Sequence, residues 1–540
     1  MRRRPDDSRM SPRGYYALFL CIGVASLLMS GYVTIRLTMI ITGDGYSRGD
    51  AVMAAALIGA ELFLCMHAVG YFYNMYKAGR RALTTQPIAF SRHVRASVAV
   101  LVTSFNELEE VLEETLASAR ALDYPINLYL LDDSTRPECQ EGARRVAEKY
   151  GARLVRRTSR AGYKAGAIND FIPHLTEKYI ALLDADQRPR ENWLKEMVAY
   201  MEDNPDMALV QSPQHYVNDA GLPVCTAAKY QQGVFFEYIC EGKAYSNAVF
   251  CCGSNCVIRR EALLSIEAVR NGRVNYFDES SVTEDFATTY LLHLNGWRTD
   301  YVNEKYAVGM GPETLAAYFV QQMRWAMGTQ GQTKKLLRDL VTRPRSMKPA
   351  QWWEYWIGST YYFIGFANFI FMLAPICFML FGVKPIQART DVYLAFFAPY
   401  IVFTMNAVMF GMHLRNYSLK GVWLASALSF STFWIYMKAG VVALLGLKRA
   451  FGVTAKGVGG TVPLWSLKVE FTMFMANCAI VAWGIWMLIT GGGDRVAYAL
   501  NTLWAGYHAI LLSTMFFHFN KPVDVIPARP PLFEPVRLAA

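Results

Sequence analysis

Apolar and polar positions divide this chain into two apolar flanks around a long polar middle. Apolar runs at 16–35, 51–73 (interrupted by Glu61), 355–383, 392–412, 471–490 and 496–517 predict six membrane spans, since crossing a bilayer takes roughly 20 residues of helix. The middle alternates differently. Residues 97–106 form an apolar run that ends in polar groups, and 107–122 carry Leu108, Val111, Leu112 and Leu116 at helical spacing. Runs at 126–134, 152–156, 178–186 and 208–214 repeat the strand pattern. Strands alternating with helices predict a mostly parallel α/β sheet, in which ligands bind at the carboxyl ends of strands. The polar clusters 103–107, 132–133 and 184–186 all fall at such ends.

Composition supports the membrane reading. A hydrophobic fraction of 53% and a charged fraction of 18% over 540 residues exclude an ordinary soluble protein. Arg2, Arg3, Arg4, Arg9 and Arg13 precede the first span, and Lys77, Arg80 and Arg81 follow the second. The connection between them carries only Arg48, beside Asp44 and Asp50. The positive-inside bias therefore puts the N-terminus and the polar middle in the cytosol, and six spans return the C-terminus to that side of the inner (plasma) membrane. The first run has no small-residue cleavage pattern and a second span follows closely, so it reads as an anchor. The net charge of +10 is assigned to basic flanks against acidic lipid, with no nucleic-acid partner. Ten cysteines without paired spacing read as reduced thiols. Arg36 and Glu61, at membrane depth, are expected to pair or to face a pore, with a snorkelling Arg36 as the alternative.

The candidate chemistry lies in five clusters. Asp184-Ala185-Asp186 sets two hard oxygen ligands at the end of a wholly apolar strand, which suits Mg²⁺ or Mn²⁺ shared with substrate phosphates; solvated turn aspartates are the ordinary alternative. Asp132-Asp133 ends another strand, where one carboxylate can meet a base or ribose, or simply cap the next helix. Lys164 can offset pyrophosphate charge while Gly166 allows close approach, although a solvated lysine before a helix fits the spacing equally. Thr283-Glu284-Asp285 opens an apolar helical pattern at 286–294, as a general base for an acceptor hydroxyl or as carboxylates on a helix dipole. Displacement with one base and a metal-held leaving group would invert an α-linked donor to a β-linkage. In Gln321-Gln322-Met323-Arg324-Trp325, the arginine can fork onto a diphosphate and the tryptophan can stack on a sugar. An interface helix with a boundary tryptophan explains the same residues, and both readings are compatible.

Taken in order, these motifs resemble those of the processive inverting glycosyltransferases of family 2, the cellulose, chitin and hyaluronan synthases. Phe250-Cys251-Cys252-Gly253-Ser254-Asn255 is similar to the acceptor loop of bacterial cellulose synthases, and Phe451-Gly452-Val453-Thr454-Ala455-Lys456-Gly457 to their gating loop. The resemblance implies an α/β GT-A-type domain (81–345) inserted in an α-helical membrane domain. It implies two spans in 1–80, four in 346–519, an interfacial helix at 421–447 that is broken by Lys438, a gating loop at 448–462 and a cytosolic tail at 520–540. By position it implies that Thr103, Glu107, Asp132, Asp133 and Lys164 hold the nucleotide, and that Asp184 and Asp186 hold the diphosphate and its metal. Asp285, next to Glu284, would be the base. Gln321, Arg324, Trp325 and Cys252 would bind diphosphate and acceptor, and Thr454 and Lys456 would close over substrate.

The departures are Gln187 after the Asp-x-Asp, Cys251 before Cys252, two N-terminal spans, and a Pro-rich tail in which a cyclic-di-GMP-binding PilZ domain is not expected. The implied function is polymerisation of a β-glucan (β-1,4, β-1,3 or mixed) from UDP-glucose, with translocation of the growing polysaccharide through the bilayer and room for accessory export subunits. The alternatives are another β-linked polymer (mannan, chitin-like, hyaluronan-like or uronan) and transfer of one sugar to a polyprenyl phosphate.

Overall fold

A computed structural model describes residues 10–42, 45–84, 95–270, 272–387, 390–447, 460–491 and 494–522. Two long helices, Pro12–Thr42 and Arg48–Thr84, lead into the polar middle. There a seven-stranded sheet forms from β1 (Val98–Ser104), β2 (Asn127–Asp132), β3 (Arg153–Val155), β4 (Tyr179–Asp184), β5 (Met207–Gln211), β6 (Cys256–Arg259) and β7 (Arg298–Tyr301). Their spatial order is β7-β5-β6-β4-β1-β2-β3.

β1 pairs in parallel with β2 and β4, which sets Thr103 beside Asp184 and Ser104 beside Asp132. β6 runs antiparallel between β4 and β5. That reversal was not expected from the sequence: β6 is four residues, wholly buried, and too short to announce itself by periodicity. Apolar side chains cover both faces of the sheet. Val100, Val102, Leu130 and Leu183 point to one core, and Leu101, Leu131, Ile180 and Leu182 to the other, as period-two alternation requires.

Among the described residues, five helical segments are long and apolar enough to cross a membrane: Pro12–Ile41, Arg48–Thr84, Pro349–Phe381, Asp391–Leu414 and Leu464–Thr490. The count is six if the pair Leu419–Ser431 and Phe433–Leu445, bent by 47°, is one span. The helix Arg495–Thr514, where another span was expected, is not among the five. Asn501, Thr502, His508 and Ser513 dilute its apolar content, yet it packs along its neighbours through Ala505 against Met379 and Ile480, and Leu512 against Met372 and Met473. Trp483 and Trp486 lie on the outside of the bundle, 38% and 59% exposed, as boundary aromatics would. Arg36 and Glu61 pair at 2.8 Å, with the arginine fully buried.

The sheet domain is fastened to the membrane helices by buried charge. Glu354, at 0% exposure near the start of Pro349–Phe381, meets Lys77 at 2.6 Å and Lys243 at 3.1 Å. Asn74 donates to the same carboxylate at 3.0 Å. A Cβ on Gly242 would lie 2.6 Å from the Asn74 backbone, so the absence of a side chain there lets the two segments touch. Arg81 adds an ion pair to Asp300 at 2.7 Å, and Arg415 pairs with buried Glu237.

Removing one member of a buried ion network leaves the others uncompensated, at a cost of about 3–5 kcal/mol. Glu354→Ala is therefore expected to lower the unfolding midpoint of the purified protein in detergent by far more than Arg144→Ala, whose pairs are half exposed. Equal midpoints for the two variants would contradict this reading.

Candidate active site

A cleft of about 250 Å³ opens over the carboxyl ends of β1, β2 and β4. It is lined by Thr103, Glu107, Asp133, Lys164, Asp184, Asp186, Cys252, Glu284, Asp285, Gln321, Arg324 and Trp325. Residues more than 200 positions apart in sequence are thus brought to one wall.

Each is placed for a local reason. Ala185 is buried in the core, and its carbonyl accepts from Thr115 Oγ1 at 2.7 Å, which leaves Asp184 and Asp186 on the cleft side of the turn. Ser254 Oγ accepts the Asp184 N–H at 2.9 Å, and Thr289 Oγ1 accepts the Cys251 N–H at 2.9 Å. The loop carrying Cys252 is therefore pinned between β4 and the helix Glu284–Leu294. Gly253 sits there at φ +84°, a conformation that favours glycine. A Cβ at that position would lie 3.0 Å from Asp285 Oδ2.

The helix Leu315–Gly331 forms the membrane-side wall. Gln321, Arg324 and Trp325 recur at i, i+3 and i+4, so all three share the cleft face. Gln322 points the other way and accepts from Tyr436 at 3.2 Å on the bent helix pair. A side chain on Gly328 would collide with Thr283, so this glycine lets the helix approach the Thr283-Glu284-Asp285 turn. That turn leads a helix seated on a membrane span: Phe286 and Tyr290 pack edge-on against Tyr355 at 5.3 and 5.1 Å. His293 bonds Tyr355 at 2.7 Å and Thr299 at 2.9 Å, and burial, with the Lys243 charge nearby, depresses its pKa to about 3.

The electrostatics are those of a site built for transferred charge. Lys164 pairs with Asp184 and donates to the Gly253 carbonyl at 2.7 Å. Burial alone would lower its pKa, but Asp184, Glu284 and Asp285 outweigh that and raise it. Asp285 lies on the cleft wall, surrounded by protein. Burial, then the neighbouring Glu284 charge, push its carboxyl up to about 7, against the Phe286 N–H, Lys164 and Arg324. It can accept a proton near neutrality.

Asp184 and Asp186 offer hard oxygen donors, and among the described residues no third carboxylate, histidine or cysteine joins them. Such a pair suits a divalent cation that completes its shell with phosphate oxygens and water.

Some expected residues fall elsewhere. Asp132 does not line the cleft: alternate strand residues face opposite ways, and its carboxylate is held by Arg156 at 2.9 Å and the Ser134 N–H at 3.2 Å. Asp133 does line it, gripped by the Arg157 fork at 2.8 and 2.6 Å. Gly166 lies outside the cleft lining, in a turn where a Cβ would collide with the Ala161 carbonyl. Thr454 and Lys456 lie outside the described residues.

Arg160, stacked 3.5 Å over Phe105, and Tyr163, Tyr216 and Glu313 also line the cleft but were not singled out. The cluster of arginines and Gly162 just ahead of Lys164 could have flagged the first two. Tyr216 arrives through a small sheet of Arg188–Pro189, Ala307–Gly309 and His215–Tyr216, whose pairing no local pattern announces.

The chain is similar to known proteins in sequence and in fold. Residues 99–266 match the glycosyl transferase family 2. The cellulose synthase catalytic subunit (UDP-forming) of Pseudomonas fluorescens is 27% identical over 516 residues, covering 92% of this chain and 66% of that protein. The corresponding subunit 1 of Komagataeibacter xylinus is 26% identical over 509 residues, covering 91% and 64%. The chain thus spans just under two thirds of these relatives. A mannosyltransferase of Pyrobaculum calidifontis, solved with GDP-Man and Mn²⁺, shares the fold at a TM-score of 0.51 and 18% identity, covering 73% of this chain and all of that one. The chain carries a family 2 glycosyltransferase domain of GT-A type. Within that class it is cellulose-synthase-like, and it is a multi-pass membrane protein.

As a general base, Asp285 would have to be ionised to work. The acid limb of kcat/KM is therefore expected near pH 7, activity being present above it and lost below, well above the ordinary carboxylate range of about 4. A rate that stays flat down to pH 5 would contradict the assignment.

Proposed function

We propose that the chain is a processive inverting glycosyltransferase that polymerises a β-glucan from UDP-glucose at the cytosolic face of the inner membrane and passes it into its own membrane helices. One observation carries this reading: Asp285 and the Gln321–Arg324–Trp325 face meet across a single cleft whose wall is seated on a membrane span. A single-sugar transferase would need the carboxylates but not that tryptophan at the membrane side.

In this reading the terminal sugar of the growing chain stacks on Trp325, near Cys252. Asp285 takes the proton of its acceptor hydroxyl as the oxygen attacks the anomeric carbon. The bond to the diphosphate breaks on the opposite face, so an α-linked donor yields a β-linkage. Lys164 and Arg324 neutralise the departing diphosphate. A Mg²⁺ or Mn²⁺ ion held by Asp184 and Asp186 would add charge neutralisation on the same group. Thr103, Glu107 and Asp133 would hold the nucleoside end, with Arg160 beside them.

The UDP-forming cellulose synthases among the relatives favour UDP-glucose, and the mannosyltransferase with GDP-Man makes mannose the natural competitor. Nucleotide release from the purified protein should be fastest with UDP-glucose over UDP-N-acetylglucosamine, UDP-glucuronate and GDP-mannose by more than about tenfold in kcat/KM. Asp285→Asn should reduce that release by about 10²–10⁴-fold. Preference for another donor would overturn the sugar, and a chloroform-soluble glycolipid product would overturn processivity.

A further inference from the structure

The short helix Thr333–Thr342 lies between the cleft helix and Pro349–Phe381, and it is tied at both sides. Lys334 donates to the Leu444 carbonyl at 2.5 Å, and Thr333 to the Ser359 carbonyl at 3.3 Å. Its outer side nevertheless carries uncovered apolar surface: Leu337 is 45%, Leu340 38% and Val341 80% exposed. Leu336, Leu337 and Leu340 form one wall of a groove of about 210 Å³, and Trp352, Trp353 and Trp356 form the other. The second wall is the opening stretch of a membrane-crossing helix, so the groove lies where headgroups give way to hydrocarbon.

Bases surround it. Lys334, Lys335, Arg338, Arg343, Arg345 and Lys348 fall within 334–348, where Asp339 is the only acid. Asp339 is buried and already accepts from Tyr290 at 3.0 Å, Arg338 at 3.1 Å and Arg343 at 2.9 Å. The side chains of Arg338 and Arg343 remain 65% and 48% exposed. A guanidinium carries five donors, so both can still reach a phosphate while holding Asp339.

We infer that this groove is a specific site for an anionic phospholipid, with an acyl chain between the leucine and tryptophan walls and its phosphate on Arg338, Arg343 and Arg345. The charge is complementary, and the apolar wall is continuous with a membrane span, so hydrocarbon rather than a soluble partner meets it. The inference depends on membrane insertion and not on which sugar is polymerised. The site would hold the helix that joins the cleft wall to the third span.

The full chain, in detergent, is incubated with a mixture of phosphatidylglycerol and phosphatidylcholine, and retained lipid is counted by native mass spectrometry. Phosphatidylglycerol should be retained preferentially, and the combined change R338Q, R343Q and R345Q should reduce that preference by about tenfold or more, since each base near anionic lipid contributes about 1 kcal/mol. Because two of these arginines hold Asp339, Leu340→Asp and Arg345→Gln are measured alongside; neither breaks that contact, and each should lower retention with the unfolding midpoint unchanged. Equal retention of the two lipids, unchanged retention in Leu340→Asp, or occupation of the groove by an acidic protein instead of lipid would overturn the proposal. Because lipid is counted directly, the result stands whether or not UDP-glucose is the donor.

Discussion

Glu354 has no access to solvent, and a carboxylate in that position is tolerable only because Lys77, Lys243 and Asn74 converge on it. Those partners come from two other parts of the chain, Lys77 and Asn74 from the second membrane helix and Lys243 from the sheet domain, and they meet on Glu354's own span. The contact therefore fixes the sheet domain against the bilayer. The next residue, Tyr355, receives Phe286 and Tyr290 from the helix that begins at Glu284. The proposed base is thereby referenced to the membrane through packed aromatic rings rather than through a loop. In the proposed reading, a polymer leaving through the membrane needs its growing end at a fixed height, and this joint would supply it.

The cleft repeats the same physics with an opposite purpose. Buried charge at the joint is fully compensated, while in the cleft the acids outnumber their partners. Asp184, Asp186, Glu284 and Asp285 face Lys164 and Arg324, and burial, reinforced by the Glu284 charge, puts the Asp285 carboxyl near 7. Such a site favours arrival of positive charge, whether as a divalent ion or as an acceptor proton. The glycines at 253 and 328 allow the crowding, since a side chain at either would press on the Thr283-Glu284-Asp285 turn.

Much of this was legible in the sequence, for definite reasons. β1, β2 and β4 are apolar runs closed by polar residues, so both the strands and the ligand-bearing ends could be read directly. Gln321, Arg324 and Trp325 announced a shared helix face by spacing alone. What spacing does not carry is which way adjacent strand-end acids turn, and Asp132 accordingly went to Arg156 rather than to the cleft. Nor does it carry antiparallel insertion of a four-residue strand, or the pairing that delivers Tyr216. The final helix was read as a span from its length, and its composition is more mixed than that of the other apolar segments it packs along.

The central claim is that synthesis and export are one process in one chain. It is tested most directly in sealed inverted vesicles carrying the protein, supplied externally with UDP-glucose. The account predicts an alkali-insoluble polymer inside the vesicles, resistant to added glucanase until detergent opens them. Polymer digestible from outside, or a product that stops at a single lipid-linked sugar, would contradict it.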